Sequence, residues 1–229
     1  MTWLRYLAYF MLITLLMWAL TALEVNYPGS LKLHVLRHSG DVLGTSEYSV
    51  IELMQPLILM VCGMLMGWVA RHYPLQRPLA LPFGGMAAIF VVRELDYFFD
   101  RWVADNFWQI IMAVIAALII AYLVRHRRRL QFALARVWPS PGLVLLFAGA
   151  VILFSFVRFV GHEPLWQAIM GDDYQRVVKL GLEEFIELVG YFFWLIGSFE
   201  YAWQVRQIAL RDPATPALRR RRHRLGRQQ

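Results

Sequence analysis

Six stretches of this chain are each long and apolar enough to cross a lipid bilayer, and no other feature restricts its fold as much. They run Trp3–Leu23, Tyr48–Ala70, Leu79–Phe99, Phe107–Val124, Pro141–Val160 and Gly181–Val205. A helix rises 1.5 Å per residue, so about 20 residues cover a hydrocarbon core about 30 Å thick. Lipid offers the backbone no hydrogen-bond partners, so apolar segments of this length predict helices. The expected fold is an all-α integral membrane protein, a six-transmembrane-helix bundle in a single domain over residues 1–205. A basic tail, 206–229, follows it. The chain is 59% hydrophobic and only 17% charged, against about 45–50% and about 25% in soluble domains.

The first segment has Arg5 ahead of it, as a signal peptide would. Its apolar run exceeds the usual stretch of about 7–15 residues, and Thr21-Ala22-Leu23 supplies no small-x-small cleavage site. A retained helix is the expectation. Cys62 is the only cysteine, so no intrachain disulfide can form.

The basic residues predict orientation. Arg5, the loops around Arg71 and Arg77 and around Arg125 to Arg136, and the tail hold sixteen of the 23 Lys and Arg residues. The positive-inside rule puts that face in the cytoplasm, with both termini inside (N-in/C-in), and the expected location is a bacterial inner membrane. Fourteen of the 16 acids fall on the other side; only Glu200 and Asp212 do not. The tail residues Arg219, Arg220, Arg221, Arg222 and Arg224 predict contact with anionic inner-leaflet lipids, at roughly 1 kcal/mol per basic residue. The lipid bilayer is thus the one partner that the sequence names. Nucleic acid is not expected, because aromatics do not interleave with the basic residues, and protein partners are not legible.

Two outer connections are long enough for structure of their own. Ser30 to His38 predicts a short interfacial helix capped by Ser30. Pro164 near a helix start, with Leu165, Trp166, Ile169 and Met170 as an apolar stripe, predicts another. Ile51-Glu52-Leu53 and Ile186-Glu187-Leu188, with Val92-Arg93 and Val157-Arg158, also hint at a repeated helical hairpin.

Charge inside the predicted spans points to a site. An ionisable residue at a helix centre costs roughly 2.5–3.5 kcal/mol even on the lenient insertion scale, so such residues turn to the bundle interior and to one another. Glu52, Arg93 and Glu187 each lie roughly 6–9 Å below the predicted outer end of their helix, and Arg158 about 3 Å below. Residues three or four apart share a helix face. That rule aligns Tyr48, Glu52 and Gln55 on the second span, and Arg93, Asp96 and Asp100 on the third. It also aligns Arg158 with His162, and Glu183 with Glu187, Glu184 lying beside the last pair. The expectation is an outward-facing acidic and arginine vestibule formed by Glu52, Arg93, Glu94, Asp96, Arg158, His162, Glu183 and Glu187. Counting Glu184 as well, acids outnumber bases there, which invites a cation, a proton or a polar ligand.

Metal chemistry has no signature motif. A divalent ion on the carboxylates with His162 is possible by donor type, and His34 and His38 stand at zinc spacing. The sequence has no His-Glu-x-x-His, no Cys pair and no repeated Glu-x-x-His. No histidine falls in the middle of a predicted span, so haem is not expected. Gly-x-Ser-x-Gly and the Gly-Lys-Ser/Thr phosphate loop are missing too.

Arg93-Glu94-Leu95-Asp96 near a helix end, with Glu183-Glu184-x-x-Glu187 opening a later helix, resembles small bacterial multi-pass inner-membrane proteins that have no assigned activity. The resemblance covers about twenty residues and implies a similar six-helix architecture. The multiple-histidine metal pattern of alkaline-ceramidase-type hydrolases is not present. Three functions fit the charges. The first is binding or translocation of a cation, proton or polar headgroup, with His162 handling protons. The second is a membrane-embedded hydrolase or transferase acting on a lipid, with two carboxylates as acid and base. The third is a non-catalytic assembly or sensor subunit.

Overall fold

The computed structural model describes residues 2–27, 37–38, 41–42 and 50–211, and within them the chain is almost wholly helical. The elements are α1 (Thr2–Asn26), the two-residue strands β1 (Arg37–His38) and β2 (Asp41–Val42), α2 (Val50–His72), α3 (Arg77–Glu94), α4 (Asp96–Trp102), α5 (Phe107–Arg125) and α6 (Arg127–Val137). Then come α7 (Pro141–Val151), a π-helical turn (Ile152–Phe156), α8 (Val157–Val160), α9 (Glu163–Met170) and α10 (Arg176–Arg211). The helices α1, α2, α5 and Pro141–Val160 are long and apolar enough to cross a membrane, and α3 with α4 makes a fifth if the bent pair is one span. The protein is a membrane protein.

Several expectations are redrawn. The predicted third span, Leu79–Phe99, is two helices that meet at Leu95 with a 56° bend. The fifth keeps its bounds but holds a π turn, which adds a residue and rotates everything beyond it by about 100°. The sixth is longer than expected: α10 has 36 residues. The basic loop after Arg125 is largely a helix, α6, which apolar-run counting missed because four of its eleven residues are Arg. Of the predicted helix at Ser30–His38, the segment 30–36 lies outside the described residues, and Arg37–His38 pair instead with Asp41–Val42 in an antiparallel ladder. His34 and Arg219, Arg220, Arg221, Arg222 and Arg224 also lie outside them. The predicted helix after His162 is present as α9, with Pro164 in its first turn.

The bundle is built around α10. It packs on α7 and α2; α3 packs on α2, and α5 on α3. Leu188, Tyr191, Trp194 and Tyr201 of α10 are each at most 2% exposed. Phe90 of α3 lies edge-on to Trp194, with ring centres 5.5 Å apart, and near Tyr191 at 5.9 Å. Edge-to-face rings of this kind add to the burial of their area.

Glycine sets the distance between α7 and α10. Gly142 and Gly149 on one helix face Gly197 and Gly190 on the other, seven residues apart on each and in opposite order, so the pair is antiparallel. A Cβ on Gly142 would lie 2.7 Å from the Tyr201 Cα and 2.9 Å from the Gly197 oxygen. One on Gly149 would lie 2.9 Å from the Gly190 oxygen. Lipid tails are as apolar as the side chains, so burial alone does not join membrane helices; close backbone approach through small residues does. Helices α1 and α5 are peripheral. No residue of α5 is buried, and among the described residues of α1 only Leu20 is.

Candidate functional site

The first turn of α2, the last turn of α3 and the middle of α10 come together at one end of the bundle. Arg93 and Glu94 close α3, and both reach α10, Arg93 at Glu187 and Glu94 at Tyr191. The Arg93 Nη2 donates to the Glu187 Oε1, and the Arg93 Nε lies 3.9 Å from the Glu94 Oε1. Their side chains are 23% exposed for Arg93, 9% for Glu94 and 3% for Glu187, so the ion pair is largely removed from solvent. Tyr191, one turn along α10 from Glu187, donates its hydroxyl to Glu94 at 2.5 Å.

A second contact adjoins the first. Gln55 of α2, fully buried, donates its Nε2 to the Glu184 Oε2 at 2.8 Å. Its own carbonyl oxygen Oε1 is buried without a donor. Glu52, one turn before Gln55, stands close enough to Glu184 for the two charges to interact. The Arg93 guanidinium thus lies against Glu187 and Glu94, and the charge of Glu184 reaches both of these acids.

The other expected members lie elsewhere. Arg158 is exposed, turned outward beyond the π turn, although its charge still reaches Glu187. His162 is exposed as well. Asp96 has followed α4 around the bend, and its Oδ1 accepts from the amide of Tyr97 at 2.6 Å. Asp100 accepts from the Asn106 amide at 2.8 Å. Glu183 lies 3.8 Å from Lys179 and its carboxyl group abuts Gly161, although its charge still reaches Glu187. Among the described residues no three His, Cys, Asp or Glu side chains are grouped so as to hold a metal ion.

Two participants were passed over in the sequence, Tyr191 and the orphaned oxygen of Gln55. Tyr191 follows Glu184 and Glu187 at helical spacing, so it was discoverable. A phenol among Phe193, Phe192 and Trp194 is easily taken for one more aromatic. The same stripe of α10 continues through Trp194 and Ser198 to Tyr201, and both the Trp194 Nε1 and the Ser198 Oγ are buried without a partner.

The opposite end of α10 has its own polar set. Glu200, 2% exposed, meets the Arg5 Nε at 2.9 Å and accepts from the Tyr9 hydroxyl. The Tyr201 hydroxyl donates to the Gln76 Oε1 at 3.0 Å, and Gln76 in turn donates to the Ala133 oxygen of α6. Gln204 accepts from Ser140, the N-cap of α7, and donates to the Val137 oxygen at 2.8 Å. Glu187 and Glu200 are separated by about 20 Å at helical rise, so polar anchors grip α10 at two levels.

Comparison of the chain with known protein families, with curated proteins and with solved structures finds no match.

Proposed function

We propose that this is a six-span protein of the bacterial inner membrane, with both termini cytoplasmic, whose Arg93 cluster binds a proton or a monovalent cation in its place. The sixth span is α10. Its charges do not oppose this, because the bundle encloses them and pairs them, whereas lipid would meet an isolated helix of this sequence on every side. The basic residues at the Arg5, Arg71 and Arg125 end support this orientation, in which the Arg93 cluster lies toward the outside. The domain and tail boundaries follow, with residues 1–205 as the membrane domain.

The observation that carries the reading is the imbalance around Arg93. Three carboxylates, Glu94, Glu184 and Glu187, beside one guanidinium would leave an excess of negative charge in a poorly hydrated site. Buried charge that is not paired costs several kcal/mol. A bound proton or cation removes one excess charge, and either supplies the Gln55 Oε1 with the partner it lacks. A proton on Glu184 would also let that carboxyl group donate to Gln55. The polar stripe from Tyr191 through Ser198 to Tyr201 offers hydrogen-bonding groups along the span, which supports passage of a proton as well as its retention.

The test is ion uptake by the full chain in proteoliposomes under an imposed membrane potential, read with an internal pH dye and, separately, with labelled sodium or potassium. Uptake that is lost in Glu184→Gln, with the variant folded, supports the proposal. No uptake of any of these ions, and no protection of the protein by them against unfolding, would favour an assembly subunit with purely structural charges.

A further inference from the structure

At the other end of the bundle a different charge imbalance stands in the open. Arg125, the last residue of α5, His126 at the joint, and Arg127, Arg128 and Arg129 in the first turn of α6 line a cavity of about 560 Å³. The four arginines are exposed, and none of them is paired with a carboxylate among the described residues. His126 is held in the joint, its Nδ1 3.1 Å from the Tyr122 oxygen and its ring stacked on Tyr122 at 4.4 Å.

This arrangement opposes the usual electrostatics of a helix. The start of a helix carries partial positive charge and is stabilised by acids, not by cations. The first turn of α6 has three arginines and no acid, and His126 provides no side-chain cap. Relief is not available nearby. The described residues at this end of the bundle hold ten arginines and one carboxylate, Glu200, which is buried against Arg5 and Tyr9. Orientation of the chain in the membrane requires only that basic residues lie in this loop. It does not require them to converge on a concavity at a helix start.

The position of α6 decides the class of anion. Gln76 and Gln204 tie its carbonyls at Ala133 and Val137 to the bundle, so the helix is fixed where the spans end. Ala133 and Val137 face inward, fully buried, while Phe132 and Trp138 are 58% and 60% exposed. A helix with arginines at one end and outward aromatics lies at the level of lipid headgroups. Guanidinium groups bind phosphate through paired hydrogen bonds.

We infer that the joint between α5 and α6 is a headgroup site for an anionic phospholipid of the cytoplasmic leaflet, with its phosphate held by Arg125, Arg127, Arg128 and Arg129. Four guanidinium groups carry more charge than one phosphate neutralises, so lipids with two phosphates bind more tightly than those with one. The site is independent of the Arg93 cluster, and distinct from the arginines of the tail.

The test uses the full chain in neutral detergent, titrated with micelle-soluble phosphatidylglycerol, diphosphatidylglycerol or phosphatidylcholine, or with inorganic phosphate, with binding read by native mass spectrometry. Three variants are compared: R127Q/R128Q/R129Q, the charge-preserving R127K/R128K/R129K, and R220Q/R221Q/R222Q in the tail. Each basic residue near an anionic lipid surface contributes about fivefold, so the Gln triple loses about a hundredfold in affinity for the anionic lipids. The Lys triple keeps the charge that sets orientation, and its affinity falls between wild type and the Gln triple. The tail triple retains the tight, saturable binding. Equal losses in the elbow and tail triples, or wild-type affinity in the Lys and Gln triples, would overturn the site. Tight binding of inorganic phosphate with no preference for the anionic lipids would overturn the lipid assignment.

Discussion

Adding one methyl group to Gly142 tests how closely α7 and α10 approach. The new Cβ would lie 2.7 Å from the Tyr201 Cα, where ordinary contact begins near 3.4 Å. The obstacle is backbone, and the Tyr201 nitrogen lies nearer still, so no rotamer change relieves it and the two helices must part locally by at least about 0.7 Å. A gap of about 0.5–1 Å forfeits a quarter to a half of each dispersion contact across it. Leu143 and Leu146, both fully buried beside Gly142, would lose contacts with α10 first. Alanine returns up to about 1 kcal/mol through its better helix propensity. The net expectation is a loss of about 1–3 kcal/mol, the usual range for an overpacked core. Gly149→Ala should behave alike, because its Cβ would press on the Gly190 oxygen at 2.9 Å. Gly63→Ala and Gly67→Ala in α2 meet nothing within 4 Å and serve as controls. Unfolding in mixed micelles, followed by circular dichroism as the denaturing detergent fraction rises, measures all four. If Gly142→Ala and Gly149→Ala are as stable as the α2 controls, the glycine contact between α7 and α10 is wrong.

Other perturbations follow from the polar anchors. Arg93→Gln should destabilise by about 3–5 kcal/mol, since it strands buried acids, whereas Arg93→Gln with Glu187→Gln should cost less than the sum of the single changes; the same unfolding assay gives both. Glu200→Ala removes the partner of Arg5 and Tyr9 and should loosen α1 by about 1.5–3 kcal/mol, seen as faster amide exchange in α1 with α2 unaffected. Gln204→Ala frees the Val137 carbonyl and the Ser140 hydroxyl together, and should cost about 1–3 kcal/mol with exchange rising first in α6.

The parts of this protein that lipid dictates were legible in its sequence, and the parts that one side chain dictates were not. Apolar length alone locates α1, α2 and α5, because a span needs about 20 apolar residues whatever surrounds it. It overlooks α6, whose helix is amphipathic and rests on bonds from Gln76 and Gln204. Helical spacing brings Glu187 and Arg93 to a common level because each helix is regular up to that point. Asp96 and Arg158 fail the same reasoning for local reasons, a bend at Leu95 and a π turn at Ile152–Phe156. Neither break has a proline or glycine at its centre to announce it. The glycines at 142, 149, 190 and 197 were visible, but their pairing required knowing that α7 and α10 are neighbours.

Infrared spectroscopy of the full chain in lipid at neutral pH tests the claim about the Arg93 cluster most directly. A carboxyl group that holds a proton has a C=O stretch distinct from that of a carboxylate, shifted by deuterium exchange. The account predicts such a band in wild type, reduced in Glu184→Gln, or its replacement by a carboxylate signal that responds to sodium or potassium. A spectrum with only ionised carboxylates, unchanged by either cation and by Glu184→Gln apart from the loss of one group, would contradict it.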